Sequence, residues 1–185
     1  MKTSRWRLNL FVFPIALLSL LAAKAPGLTE KVDPFKPLRV LIGKWEGEVK
    51  GKPGNGKAER EYVFVLNDHF IQVHNTSIYP PQEKNPKGET HHDIGFISYD
   101  KATKKLMLRQ FHVEGFVNQF ALESISVDNR TIVFTTTSIE NIPPGWKAKE
   151  TYRIINNDEF IETFALAEPN RAFAMYSETH FQRKE

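Results

Sequence analysis

The chain has 185 residues, with 25 Lys and Arg against 22 Asp and Glu and no cysteine. Lys2, Arg5 and Arg7 account for the whole formal charge of +3, so the rest of the chain is near neutral and has no basic run with interleaved aromatics of the kind a nucleic-acid surface needs. The lack of Cys excludes a disulfide framework, thiol chemistry, Cys-ligated zinc and a lipid-modified N-terminal Cys.

Residues 1–23 have the layout of a secretory signal peptide: three cations, an apolar run from Leu8 to Leu21, then the small residues Ala22, Ala23 and Ala25. The run is shorter than the roughly 20 apolar residues a membrane-spanning helix needs, and Pro14 interrupts it. Cleavage is expected after Ala23, because a cut after Ala25 leaves Pro26 at the new terminus. The mature protein is then expected to be secreted or periplasmic and free of the membrane. Its roughly 160 residues can bury close to 70% of the surface an unfolded chain exposes, enough for one domain.

Residues 24–37 are punctuated by Pro26, Pro34 and Pro37 and read as a linker, with the domain at 38–185. Leu38 to Ile42 fits one helical turn plugging an end of the fold. From Gly43 onward, short runs rich in β-branched and aromatic residues are broken by Gly, Pro, Asn and Asp at intervals of roughly ten residues, the signature of a sandwich or barrel.

Ten strands are predicted: Gly43 to Val49, Ala58 to Leu66, Phe70 to Ile78, Thr90 to Tyr99, Lys105 to Val113, Phe116 to Leu122, Thr131 to Thr137, Lys147 to Ile155, Glu159 to Leu166 and Ala172 to Gln182. Lys50 to Lys57 reads as a Gly-rich loop, and Asn67-Asp68 and Asn157-Asp158 as tight hairpin turns. Strands joined this closely are antiparallel neighbours, and closure removes their unpaired edges. The expected fold is all-β: a single antiparallel barrel of about ten strands, lipocalin-like, with a short helical turn before the first strand.

The period of two assigns faces wherever a turn is tight. With Glu114-Gly115 as a two-residue turn, Met107, Arg109, Phe111 and Val113 share a face with Phe116, Asn118, Phe120 and Leu122, and this greasier face should line the interior. Leu108, Gln110 and His112 then point outward. An inward Arg109 costs several kcal/mol unless paired or hydrated, so it either meets an acid on a neighbouring strand or, with Asn118, anchors a polar ligand head in a hollow barrel. Across Asn157-Asp158 the same rule sets Arg153 opposite Glu162. On the last strand Phe173, Met175, Ser177, Thr179 and Phe181 are expected inward and His180 toward solvent.

His91 and His92 alternate on a strand and so do not share one ion unless the strand begins after them, His69 lies by a turn, His74 lies on a central strand and His112 is placed outward, so no metal site is expected. There is no Gly-x-Ser-x-Gly elbow, phosphate-binding loop or His-Glu-x-x-His motif. No motif argues for catalysis, and Glu114 and Glu150 form a carboxylate pair only if the fold brings them together.

Leu41-Ile42-Gly43-Lys44-Trp45-Glu46-Gly47-Glu48 resembles the opening of the nitrobindin-type barrels, where Gly-x-Trp-x-Gly-Glu follows a short helical turn. His112 to Gln119 and Ile142-Pro143-Pro144-Gly145-Trp146 are similar to stretches of exported bacterial relatives of unknown function. The resemblance implies a ten-stranded barrel and, as an alternative function, haem held by a histidine near the start of the last strand and acting on reactive nitrogen species. The matching stretch, Pro169-Asn170-Arg171-Ala172-Phe173, has no histidine, and His180 is the only ligand that strand offers.

The leading expectation is an exported barrel binding a small apolar or amphipathic molecule without a cofactor. Trp45, Phe64, Phe96, Phe111 and Phe120 are the candidate lining, with Arg109 and Asn118 as polar anchors.

Overall fold

A computed structural model describes residues 33–185 apart from position 84, so the predicted signal peptide and residues 24–32 of the linker lie outside the described residues. A short 3-10 turn, Lys36–Leu41, leads into ten strands: β1 (Gly43–Gly51), β2 (Gly54–Val65), β3 (Phe70–Tyr79), β4 (Glu89–Asp100), β5 (Lys105–His112), β6 (Val117–Ile125), β7 (Thr131–Glu140), β8 (Lys147–Asn156), β9 (Glu159–Ala167) and β10 (Ala174–Arg183). Each pairs antiparallel with its neighbour in sequence, and β1 pairs with β10 to close the barrel. The expected fold class is the observed one.

Strand boundaries differ where turns are tighter or longer than expected. The Gly-rich stretch is mostly strand, with β1 and β2 meeting through Lys52-Pro53. The Asn67-Asp68 turn is a four-residue connection, Leu66 to His69, in which Leu66, Asn67 and Asp68 all have positive φ.

The opening motif has a structural explanation. Trp45, 1% exposed, donates from Nε1 to the Leu41 carbonyl (2.7 Å) and meets Phe160 edge-on at 4.7 Å. Arg183 lies 4.2 Å over the Trp45 ring and donates to the carbonyls of Ile42 and Val40, tying the 3-10 turn to β10. Gly47 pairs with Phe181 of β10, and a Cβ there would overlap the His180 carbonyl. Leu38 and Leu41 close this end over Tyr152, Phe160 and Phe181, all 1% exposed or less.

Alternation along each strand then carries the interior upward. On β8, Ala148, Glu150, Tyr152 and Ile154 are buried, and on β3 Ile71, Val73, Asn75, Ser77 and Tyr79. The buried set therefore changes from apolar at the closed end to polar at mid-height. The hairpins β1–β2, β3–β4, β5–β6, β7–β8 and β9–β10 surround the other end, which is open.

Candidate functional site: a cavity with a polar floor

The open half of the barrel encloses a cavity of about 600 Å³. One side of its rim is apolar, with Phe116 from the β5–β6 turn, Trp146 and Pro143 from the β7–β8 loop, and Phe164, Leu166 and Tyr176 from β9 and β10, and the other carries Glu89, His91 and Glu114. Its floor is polar, and Arg60, Glu150 and Glu162 occupy inward positions between apolar neighbours on their strands.

Arg60 on β2 and Glu162 on β9 form a bidentate ion pair across the floor, with Nη2 to Oε1 at 2.8 Å and Nε to Oε2 at 3.3 Å, both side chains under a tenth exposed. Burial works against the guanidinium's charge, but the charge and hydrogen bonds of Glu162 outweigh it and hold the pKa above its usual value. Glu150 accepts from Gln110 Nε2 (3.1 Å) and contacts the Tyr152 hydroxyl. Burial, reinforced by the charge of Glu162, pushes its carboxyl up to about 8, so it is mainly protonated at neutral pH. Asn75 Nδ2 donates to Asp93 Oδ1 at 2.7 Å.

A second group lies toward the mouth. His91 Nδ1 is 2.7 Å from Glu114 Oε1, and His91 Nε2 is 3.2 Å from His112 Nδ1 and 3.5 Å from Asp93 Oδ2. His112 Nε2 is 3.0 Å from Asn118 Nδ2, and the ring stacks on Phe116 at 4.0 Å. Burial lowers His112 to about 4, keeping it neutral, while the Asp93 and Glu114 contacts raise His91. Three buried amide oxygens that belong to cavity-lining residues, Asn75 Oδ1, Gln110 Oε1 and Asn118 Oδ1, have no hydrogen-bond partner within the protein.

Of the seven residues expected to line a ligand site, Asn118 does so. Trp45 and Phe120 are fully buried below the cavity, and Phe64 packs on Phe35 (5.8 Å) beneath the Arg39 guanidinium at the closed end. Phe96, Arg109 and Phe111 are on the outer wall, where Phe96 pairs with Arg109 and Phe111 is 49% exposed.

The cause is the β5–β6 turn. It contains three residues, Val113, Glu114 and Gly115, closed by His112 N to Phe116 O (3.1 Å) and Gly115 N to His112 O (2.8 Å), with Gly115 at φ +89°. A three-residue hairpin with glycine in the left-handed region is a common alternative to the two-residue form. It pairs Gln110 with Asn118, and a slip of one residue exchanges the two faces of β5. Gln110 and His112 therefore enter the cavity and Arg109 leaves it.

Bulges explain two further corrections. The irregularity between Ile154 and Asn156 pairs Tyr152 with Glu162 and Arg153 with Ile161, so the partner of Glu162 is Arg60 and not Arg153. The one between Met175 and Ser177 leaves Phe173 and Met175 exposed and turns Tyr176 into the cavity, while Thr179 and Phe181 are buried as expected. The predicted separation of His91 from His92 is observed, with His92 exposed beside Thr76. The expectation that no three ligating groups converge fails, because the slip in β5 brings His112 to His91 and Asp93. Glu114 and Glu150 line the same cavity.

Haem needs an axial side chain aimed at the space it occupies. His180 lies on the outer wall with its side chain 58% exposed and Nε2 3.3 Å from Glu178. The facing nitrogens of His91 and His112 are directed at each other and at Asp93. The described residues do not fit an axially ligated haem.

No protein-family model matches this chain, and no curated protein matches it in sequence. Among solved structures it is similar to the crystal structure of Rv2717c from M. tuberculosis, with a TM-score of 0.63 and 16% identity over 83% of this chain and 99% of that one. That likeness shows the barrel fold.

Proposed function

We propose that the mature chain is an exported barrel that binds a small amphipathic molecule in its open half, polar end toward the floor and apolar part against the rim. The observation that carries this reading is the cavity itself: about 600 Å³ between aromatic walls and a layer of buried polar groups, a volume within the range of small-molecule sites. A barrel needing only a core would fill this space, since interiors pack to crystal-like density. The unpartnered amide oxygens support the reading further, because buried polar groups otherwise find partners. Export rests on the N-terminal pattern, and N-terminal sequencing of the secreted protein should begin at Lys24.

Trp146 lines the cavity, whereas Trp45 is buried at the closed end. Native mass spectrometry of protein purified from its own compartment should show a co-purifying organic mass. Its removal and return should change tryptophan emission in the parent protein and not in Trp146→Phe. An empty protein that also takes up none of a set of alkyl amines, alcohols and acids, all tested with chelator present, would overturn the proposal.

A further inference from the structure

We propose that His91 Nε2, His112 Nδ1 and Asp93 Oδ2 hold one divalent transition-metal ion of the zinc type, with its remaining coordination position facing the cavity. The inference goes beyond small-molecule binding and stands without it, since the donor set needs no organic ligand.

The geometry comes first. The three atoms face one another at 3.2, 3.5 and 4.0 Å. A triangle with those sides is circumscribed by a circle of radius about 2.1 Å, so a single point lies at zinc–imidazole and zinc–carboxylate bond length from all three. Bonds of that length give ligand separations of about 3.4 Å in a tetrahedron and about 3.0 Å on an octahedral face. That point lies in the plane of the three atoms, and a tetrahedral ion sits just out of the plane once the 4.0 Å His112–Asp93 separation closes toward about 3.4 Å. Two imidazoles and one carboxylate leave a fourth position for water or a ligand, the composition of open zinc sites.

Each donor is also held by a partner that turns its free atom inward. Glu114 Oε1 takes the other nitrogen of His91, Asn118 the other nitrogen of His112, and Asn75 the other oxygen of Asp93. Such an outer shell orients ligands and fixes imidazole tautomers in metal sites. A metal on His112 Nδ1 puts the ring proton on Nε2, which Asn118 accepts by turning its amide to present Oδ1, a buried atom with no partner in the present arrangement.

Charge points the same way. The cavity is lined by Glu89, Asp93, Glu114, Glu150 and Glu162, and Arg60 is the one Lys or Arg among the described lining residues. Glu162 neutralises Arg60, and burial neutralises Glu150. Glu89, Asp93 and Glu114 remain as acidic groups around His91, with no Lys or Arg among the described lining residues beside them, and a divalent cation held by His91 offsets them.

The test titrates chelator-treated full-length protein, processed by its host and free of organic ligand, with Zn²⁺ and with Co²⁺. One equivalent should bind saturably, and Co²⁺ should give the intense visible bands of a four-coordinate site. His91→Ala and His112→Ala should abolish that binding. Glu114→Ala, which removes a supporting partner and one negative charge of the mouth but none of the three donors, should weaken it about 10- to 100-fold, and His92→Ala on the outer face should leave it unchanged. X-ray absorption on the zinc-loaded parent protein reads the ligands without any substitution, and two imidazoles per zinc are expected. An all-oxygen shell, no saturable binding, or binding indifferent to both His91→Ala and His112→Ala would overturn the proposal. Because no organic ligand is present and the small-molecule test contains chelator, failure of either reading leaves the other standing.

Discussion

At the closed end of the barrel the strands converge on Trp45, Tyr152, Phe160 and Phe181, each 1% exposed or less, whereas at the open end β9 and β10 carry Phe164, Leu166 and Tyr176 around a cavity of about 600 Å³. β9 takes part in both: Phe160 is locked into the core, Glu162 is paired at mid-height, and Phe164 is half-buried at the rim. The same alternation that builds a solid core at one end presents side chains to a space at the other. Stability and recognition are thus separated along the barrel axis, with a layer of buried polar groups between them.

The sharpest test of that separation is a pair of truncations on β9. Phe160→Ala removes a ring stacked on Phe181 at 4.9 Å and meeting Trp45 at 4.7 Å, and should lower unfolding free energy by about 3–5 kcal/mol in urea titrations. Phe164→Ala, two turns of the pleat further up, deletes a side chain that already borders free volume and should cost less than about 2 kcal/mol. Equal losses would mean that the open half is as tightly packed as the closed half.

The polar layer gives the next largest effect. Arg60→Met leaves Glu162 charged and unpaired in the interior and should destabilise by about 3 kcal/mol, while Arg60→Met combined with Glu162→Leu should recover most of the loss. Denaturation of both variants decides it. Failure of the double variant to recover would show that the pair also holds the floor in shape.

Glu150 makes the same layer sensitive to pH. Its folded pKa of about 8 lies above the ordinary value of 4.5, so between these values the folded chain keeps a proton that the unfolded chain has released. Stability from this group is fully present below the lower value and is lost as pH rises through the higher one, at up to about 1.4 kcal/mol per pH unit. Glu150→Gln has no such proton. The stability of that variant relative to the parent, both metal-free, should rise from about pH 5 to about pH 8 and level off above. A pH-independent difference would mean that the carboxyl is ionised in the fold.

The barrel was legible in the sequence because it depends on features repeated along the chain: short β-rich runs and the turns that punctuate them. The floor was legible in principle. Glu150 stands between Ala148 and Tyr152, Glu162 between Phe160 and Phe164, and Asn75 two places after Val73, so period-two reading from apolar neighbours places all three inward. What hid them is that large aromatics suggest a ligand lining, whereas a barrel with a closed end places its largest aromatics there. The pairing of floor residues was not legible, because Arg60 and Glu162 are 102 positions apart and meet across the barrel. The error with the widest consequence was local. One residue added to the β5–β6 turn by Gly115 reversed β5 and moved His112 and Gln110 into the cavity.

That reversal leads to the smallest predicted effect, which also tests the register most directly. Gln110 is 5% exposed and donates to Glu150, so Gln110→Leu strips a buried carboxyl of its donor and should cost about 1–3 kcal/mol. Arg109, its neighbour on the outer wall, lies beside Phe96 and Gln119, and Arg109→Leu should change stability by no more than about 0.5 kcal/mol and leave ligand uptake untouched. With a two-residue turn the two outcomes would exchange, since Arg109 would then be the interior charge and Gln110 the surface amide. Urea titration of the two variants therefore reads the hairpin: a costly Gln110→Leu beside a silent Arg109→Leu requires the three-residue turn that delivers His112 to His91 and Asp93.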